Sequence, residues 1–222
     1  MTEIIQEMPD HRHGTCWVNR DWGWCYVNIP KNGSNTFKEI LKYRGFSEGN
    51  FNDESLENFK SFTVLRDPVE RYISAYLEIL DRYLEKHARL PDRYPLPCAF
   101  ISDPTLSMLN RFDEFLQISE FALFDEHIQQ QSWFLRQADG QHFQFDAVFN
   151  LETLNRDWHQ FLARWKLSLP SELPRRYTSR RSDEQRTLRR QIYNSPSLLS
   201  RIRNLYLADI KLHTDHSLLL RT

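Results

Sequence analysis

Cysteine is scarce in this 222-residue chain: Cys16, Cys25 and Cys98 are an odd set with no Cys-x-x-Cys spacing. A disulfide framework is excluded, and free thiols in a reducing compartment are expected. No run approaches the roughly 18 apolar residues that a bilayer span needs. The opening MTEIIQEMPDHRHG lacks the basic-then-apolar order of a signal peptide. A cytoplasmic protein without a membrane span is the expectation, a trimmed luminal domain of an anchored protein the alternative. Internal repeats and low-complexity tracts are also absent.

What remains is 40% hydrophobic, 14% aromatic and 27% charged, enough for a core in a soluble chain. The length suits one domain, 1–222, with residues 1–20 expected as a flexible N-terminal segment. The net charge of −1 conceals an asymmetry. Residues 164–203 hold eleven Lys and Arg against three Asp and Glu. Such a stretch reads either as a surface for a polyanionic ligand or as an Arg-rich solvated helix face. It does not by itself indicate nucleic acid, since affinity for a smaller phosphate ligand explains it equally well.

Hydrophobic patterning gives three strand-to-helix units. WCYVNI at 24–29 reads as a strand, followed by a small polar loop and a helix from about Ser34 to Tyr43. SFTVL at 61–65 reads as a second strand. Arg66-Asp67-Pro68 and a long helix follow it, with Val69, Tyr72, Ile73, Tyr76, Leu77 and Leu80 at spacings of three and four. FDAVFNL at 145–151 reads as a third strand, before a helix striped by Leu154, Trp158, Phe161, Leu162 and Trp165. Another helix is expected from near Thr105, and two final ones open at Ser182-x-x-Gln185 and Ser195-Pro196. The fold class is α/β, with a central parallel sheet flanked by helices.

Ligands of parallel sheets bind beyond the carboxyl ends of the strands, where Lys31 to Thr36 and Arg66 to Pro68 both emerge. Gly33 lets the backbone curl around an anion, and the N–H groups of Ser34, Asn35 and Thr36 open a helix whose dipole favours negative charge. Lys31 adds a full positive charge. The same segment also reads as an Asn-Gly turn with Ser34 as a helix N-cap. The Walker pattern GxxxxGK[ST] is missing, which weighs against a nucleotide-dependent kinase.

Two segments then carry a resemblance. PKNGSNTF at 30–37 and RDPVERYISAY at 66–76 resemble the 5′-phosphosulfate loop and 3′-phosphate motif of sulfotransferases that use 3′-phosphoadenosine 5′-phosphosulfate (PAPS), nearest the Golgi-type carbohydrate branch. FDEHIQQQ at 124–131 is similar to that family's H-W-x-P-Q segment only at His127 and Gln131. FDAVFNLETLNRDW resembles its Y-D-x-[IV]-x-x-x-E-x-L-x-x-D stretch. The resemblance implies a P-loop-like fold and a PAPS-dependent enzyme sulfating a hydroxyl-bearing acceptor, with a glycan hydroxyl as the branch suggests. It implies that Lys31, Asn32, Gly33, Ser34, Asn35 and Thr36 surround the phosphosulfate, that Arg66 and Ser74 bind the 3′ phosphate, and that Arg180 in the basic loop closes over the nucleotide. A non-catalytic module binding PAPS or its product PAP is the alternative from another class.

Transfer of this kind needs an in-line arrangement and stabilisation of charge on the leaving phosphate, a role for Lys31. No metal is expected. His11-x-His13 with Cys16, and His213-x-x-His216, have ligand-like spacing but read as surface near the chain ends. A base for the acceptor hydroxyl is also required. Residues 38–63 contain no histidine. His127 is the first candidate because it stands in the partial family match and an imidazole can be neutral near pH 7, and Glu54 or Glu57 between the two motifs are the alternatives. Arg71 is expected to brace the motif loop, through a carboxylate such as Asp67, rather than to touch the donor.

Overall fold

The computed structural model describes residues 15–51, 53, 56, 58–87, 105–123, 125–137, 140–173 and 183–220. Glu54, Glu57, Cys98, Arg180 and Ser182 lie outside them. In chain order the elements are β1 (Thr15–Asn19), β2 (Trp24–Val27), α1 (Ser34–Lys42), β3 (Ser47–Asn50), β4 (Lys60–Leu65), α2 (Pro68–His87), α3 (Met108–Phe121), α4 (Gln131–Phe134), β5 (Ala147–Asn150), α5 (Leu154–Trp165), α6 (Asp183–Tyr193), α7 (Pro196–Leu205) and α8 (Leu207–Thr214), followed by a 3₁₀ turn at His216–Leu219. None of these helices is long and apolar enough to cross a membrane.

The chain forms two compact units. One comprises the described parts of 9–67, 130–178 and 208–222, and holds the whole sheet. Strand order is β3-β1-β2-β4-β5. The three strands expected from the sequence, β2, β4 and β5, are mutually parallel as expected, with Tyr26 opposite Phe62 and Phe62 opposite Ala147. Two further strands make the sheet mixed, β1 pairing antiparallel with both β2 and β3. The β1–β2 hairpin turns through Gly23, at φ 64°, and the side chain of Asn19 accepts the Trp22 N–H at 2.8 Å.

Alternation along the strands divides the apolar residues between two faces. Trp24, Tyr26, Phe62, Val64 and Phe149 share a core with Phe37 and Ile40 of α1 and with Trp158 and Phe161 of α5. Cys16, Val18, Cys25, Val27 and Leu65 pack on the other face with Phe134, Phe145 and Leu212. Cys16 and Cys25 are both buried. Trp158 is fully buried, lies within 6.0 Å, centroid to centroid, of Phe37, Phe62, Phe149 and Phe161, and donates to the Pro170 carbonyl at 2.9 Å.

The second unit comprises the described parts of 68–129 and 179–207. Its core is the expected α2 stripe, Val69, Tyr72, Ile73, Tyr76 and Leu80, packed with Phe112, Phe115, Leu188, Ile192 and Ile202. α3 starts at Met108 rather than near Thr105, because Ser107 accepts the Asn110 N–H at 3.2 Å and caps it. α7 opens as expected, with Ser195 as its cap and Pro196 in the first turn. Part of the basic stretch is internally paired: Arg189 binds Glu70 at 2.5 Å, and Arg201 bridges Asp113 and Glu120.

Replacing Trp158 by Ala removes a buried indole that joins α5 to the sheet. We expect Trp158→Ala to lower the unfolding free energy by about 3–5 kcal/mol, read from denaturant titration.

Candidate active site

Three strand ends converge in the first unit. After β2 the chain passes through Asn28–Pro30 into a turn at 31–33 in which Lys31, at φ 70°, and Gly33, at φ 80°, are both left-handed. For a lysine this conformation is disfavoured, and something must hold it. Arg66, just after β4, donates from Nη1 to the Lys31 carbonyl at 2.9 Å. After β5, the Leu151 N–H continues the ladder to the Leu65 carbonyl at 2.7 Å. The Leu151 side chain packs beside Gly33, where an added Cβ would meet it at 3.2 Å.

Gly33, not Ser34, occupies the N-cap position of α1, and no side chain caps the helix. Its first turn contains no acidic residue. The Phe37 N–H bonds the Gly33 carbonyl at 3.2 Å. An uncapped N-terminus of Ser34, Asn35 and Thr36, next to a lysine and an arginine, is suited to an anion of high charge. The reading of Ser34 as a cap is therefore replaced by one in which its hydroxyl is not spent on its own helix.

Asn32 is fully buried. Its Nδ2 donates to the Val64 carbonyl at 2.7 Å and to Gln131 Oε1 at 2.6 Å. Gln131 also accepts the Arg66 N–H at 3.0 Å and donates to the Arg66 carbonyl at 2.9 Å. The Asp67 N–H goes to Glu152 at 3.0 Å, and the other oxygen of Glu152 meets His213 Nε2 at 3.2 Å. Burial raises the Glu152 carboxyl, but these bonds outweigh it and hold it below the ordinary glutamate range. His216 Nε2 lies 2.9 Å from Asn150 Oδ1, and burial lowers its pKa. The two histidines with ligand-like spacing thus brace the turn after β5. Among the described residues, no group of His, Cys, Asp and Glu is arranged to hold a metal ion.

Ser74 and His127 belong to the second unit. Ser74 is half-buried on α2, and Arg71 on the same helix is buried, donating to the Gln129 carbonyl at 2.6 Å. His127 Nδ1 lies 2.7 Å from Asp125 Oδ1 and 3.1 Å from Arg82 Nη2, and Arg82 also contacts Asp125 at 3.3 Å. Burial raises the Asp125 carboxyl, yet hydrogen bonds and charge from His127 and the charge of Arg82 bring it below its ordinary value. The shorter contact, to a carboxylate oxygen, suits a tautomer that donates from Nδ1 to Asp125. Asp125 was overlooked in the sequence, where its signal was the spacing Asp-x-His.

The model of the sulfotransferase family matches residues 15–214. The chain belongs to the sulfotransferase family. No curated protein and no solved structure matches this sulfotransferase. The match runs through both compact units and includes the loop at 31–36, the Arg66-Asp67-Pro68 turn and the Asp125–His127 pair.

Gly33→Ala would place a Cβ in a left-handed conformation against Leu151, at a cost of about 1–2 kcal/mol. A lowered melting temperature, together with reduced sulfotransferase activity of the folded variant, is the expected result.

Proposed function

We propose that this sulfotransferase transfers a sulfuryl group from PAPS to an acceptor hydroxyl, with a carbohydrate as the acceptor class. The observation that carries the reading is the bond from Arg66 to the carbonyl of Lys31, which ties the loop at 31–36 to the turn after β4. The fit to a phosphosulfate rests on an α1 terminus with neither a side-chain cap nor an acid in its first turn. PAPS, when bound, supplies the sulfuryl group and a phosphate leaving group.

In this proposal, Lys31 and the N–H groups of Ser34, Asn35 and Thr36 stabilise negative charge that grows on the leaving oxygen, so they act more strongly in the transition state than before it. Gly33 and Asn32 shape the loop. Arg66 and Ser74 hold the 3′ phosphate, Arg66 through a planar fork of donors. The base is His127, oriented through Nδ1 by Asp125, with Nε2 receiving the proton of the acceptor hydroxyl. Arg180 is proposed to close over the nucleotide.

Calorimetric titration with PAP tests the donor assignment. Wild type should bind, and Lys31→Ala and Arg66→Ala should each weaken binding about tenfold or more, as expected for charge-assisted hydrogen bonds. Failure of wild type to bind PAP overturns the reading. With labelled PAPS and a panel of glycans and small alcohols, His127→Ala should lower turnover about 10²- to 10⁴-fold while leaving PAP affinity unchanged. Binding of PAP without transfer to any acceptor in the panel would favour the non-catalytic module.

A further inference from the structure

Gln131 is fully buried at the start of α4, and its side-chain amide makes three hydrogen bonds to the two loops. Oε1 accepts from Asn32 Nδ2 at 2.6 Å and from the Arg66 N–H at 3.0 Å, while Nε2 donates to the Arg66 carbonyl at 2.9 Å. The last two bonds engage both backbone groups of Arg66, as a neighbouring strand would. The amide thus extends the pairing of β4 one residue beyond Leu65, where the ladder to β5 ends. Only a side chain with a donor and an acceptor on one plane, at this length, satisfies both groups.

The orientation of Asn32 supports the same brace. Its Nδ2 lies between two acceptors, Val64 O and Gln131 Oε1, so the flipped amide would oppose oxygen to oxygen. The arrangement leaves Asn32 Oδ1 buried without a partner, a cost that the two donated bonds must offset. Gln131 is anchored from the other side by Asp209 of α8, which is buried and accepts the N–H groups of Gln131 at 2.7 Å and Ser132 at 2.9 Å.

We infer that Gln131 is a positioning residue for the donor: its amide sets the spacing between the loop at 31–36 and the Arg66 peptide, and so between the groups that hold the two ends of one ligand. The inference rests on the donor reading above. Gln131 itself need not touch the ligand.

The test measures PAP affinity by calorimetry in wild type, Gln131→Met and Gln131→Glu, with far-UV circular dichroism as the check of folding. Both variants should bind at least about tenfold more weakly than wild type at about pH 7.5. Gln131→Glu supplies a further readout, because a protonated carboxyl again offers one donor and one acceptor in the same places. Its deficit relative to wild type should shrink as the pH is lowered to about 5, whereas that of Gln131→Met should not. The charged groups around the position, Asp209 on α8 and Arg66 and Lys31 in the two loops, are common to all three proteins and cancel in the ratio. Gln131→Glu preserves the side-chain length and reports independently if Gln131→Met does not fold.

Absence of PAP binding by wild type overturns the donor reading and the inference with it. Binding by wild type and by folded Gln131→Glu with equal affinity at both pH values overturns the inference alone. So does a loss in Gln131→Glu that is unchanged at low pH.

Discussion

The hydrogen bond from Arg66 to the carbonyl of Lys31 joins loops that lie 35 residues apart in the chain, and it acts on a peptide that would not otherwise hold its shape. Lys31 is left-handed without being glycine, so its carbonyl direction has to be enforced from outside. Arg66 enforces it. Arg66 can do so only because its own N–H and carbonyl are fixed by Gln131, whose backbone is in turn fixed by Asp209. The loop at 31–36 is therefore the last link of a series of buried polar contacts, each dependent on the one behind it.

Much of this was legible in the sequence where the determinants are local. β2, β4 and β5 are short apolar runs followed by turn residues, and the stripe of α2 is periodic over several turns. Ser195-Pro196 opens a helix as its chemistry dictates. β1 and β3 were not legible, for different reasons. β1, Thr15–Asn19, is too short to show a convincing period. β3, Ser47–Asn50, has no apolar residue at all and exists as a strand through its pairing with β1. Ser34 was open to two readings because an N-cap serine and a serine one residue later look alike; the left-handed Gly33 decides between them.

At the site, the contiguous motifs were readable because each is a short run of neighbouring residues. The residues that position them were not, because their partners are remote. Gln131 meets Asn32 across 99 residues, and Glu152 meets His213 across 61. The spacing His213-x-x-His216 suggested metal ligands, but the fold uses one of these histidines on Glu152 and the other on Asn150. The charge of residues 164–203 likewise overstated the exposed positive surface, since Arg189 and Arg201 are engaged with carboxylates within their own unit.

The place of Asp209 has a consequence for how the protein is made. The unit that contains the sheet is drawn from three separated stretches of chain, and the third begins at Ala208. During synthesis the strands and the loop at 31–36 leave the ribosome well before Asp209 does, so the N–H groups of Gln131 and Ser132 have no carboxylate to receive them until α8 has emerged. A nascent chain can thus build most of its sheet early, yet the brace on the loop at 31–36 must await α8. In a ribosome-stalled chain ending before α8, the loop at 31–36 would lack the support that Asp209 gives through Gln131.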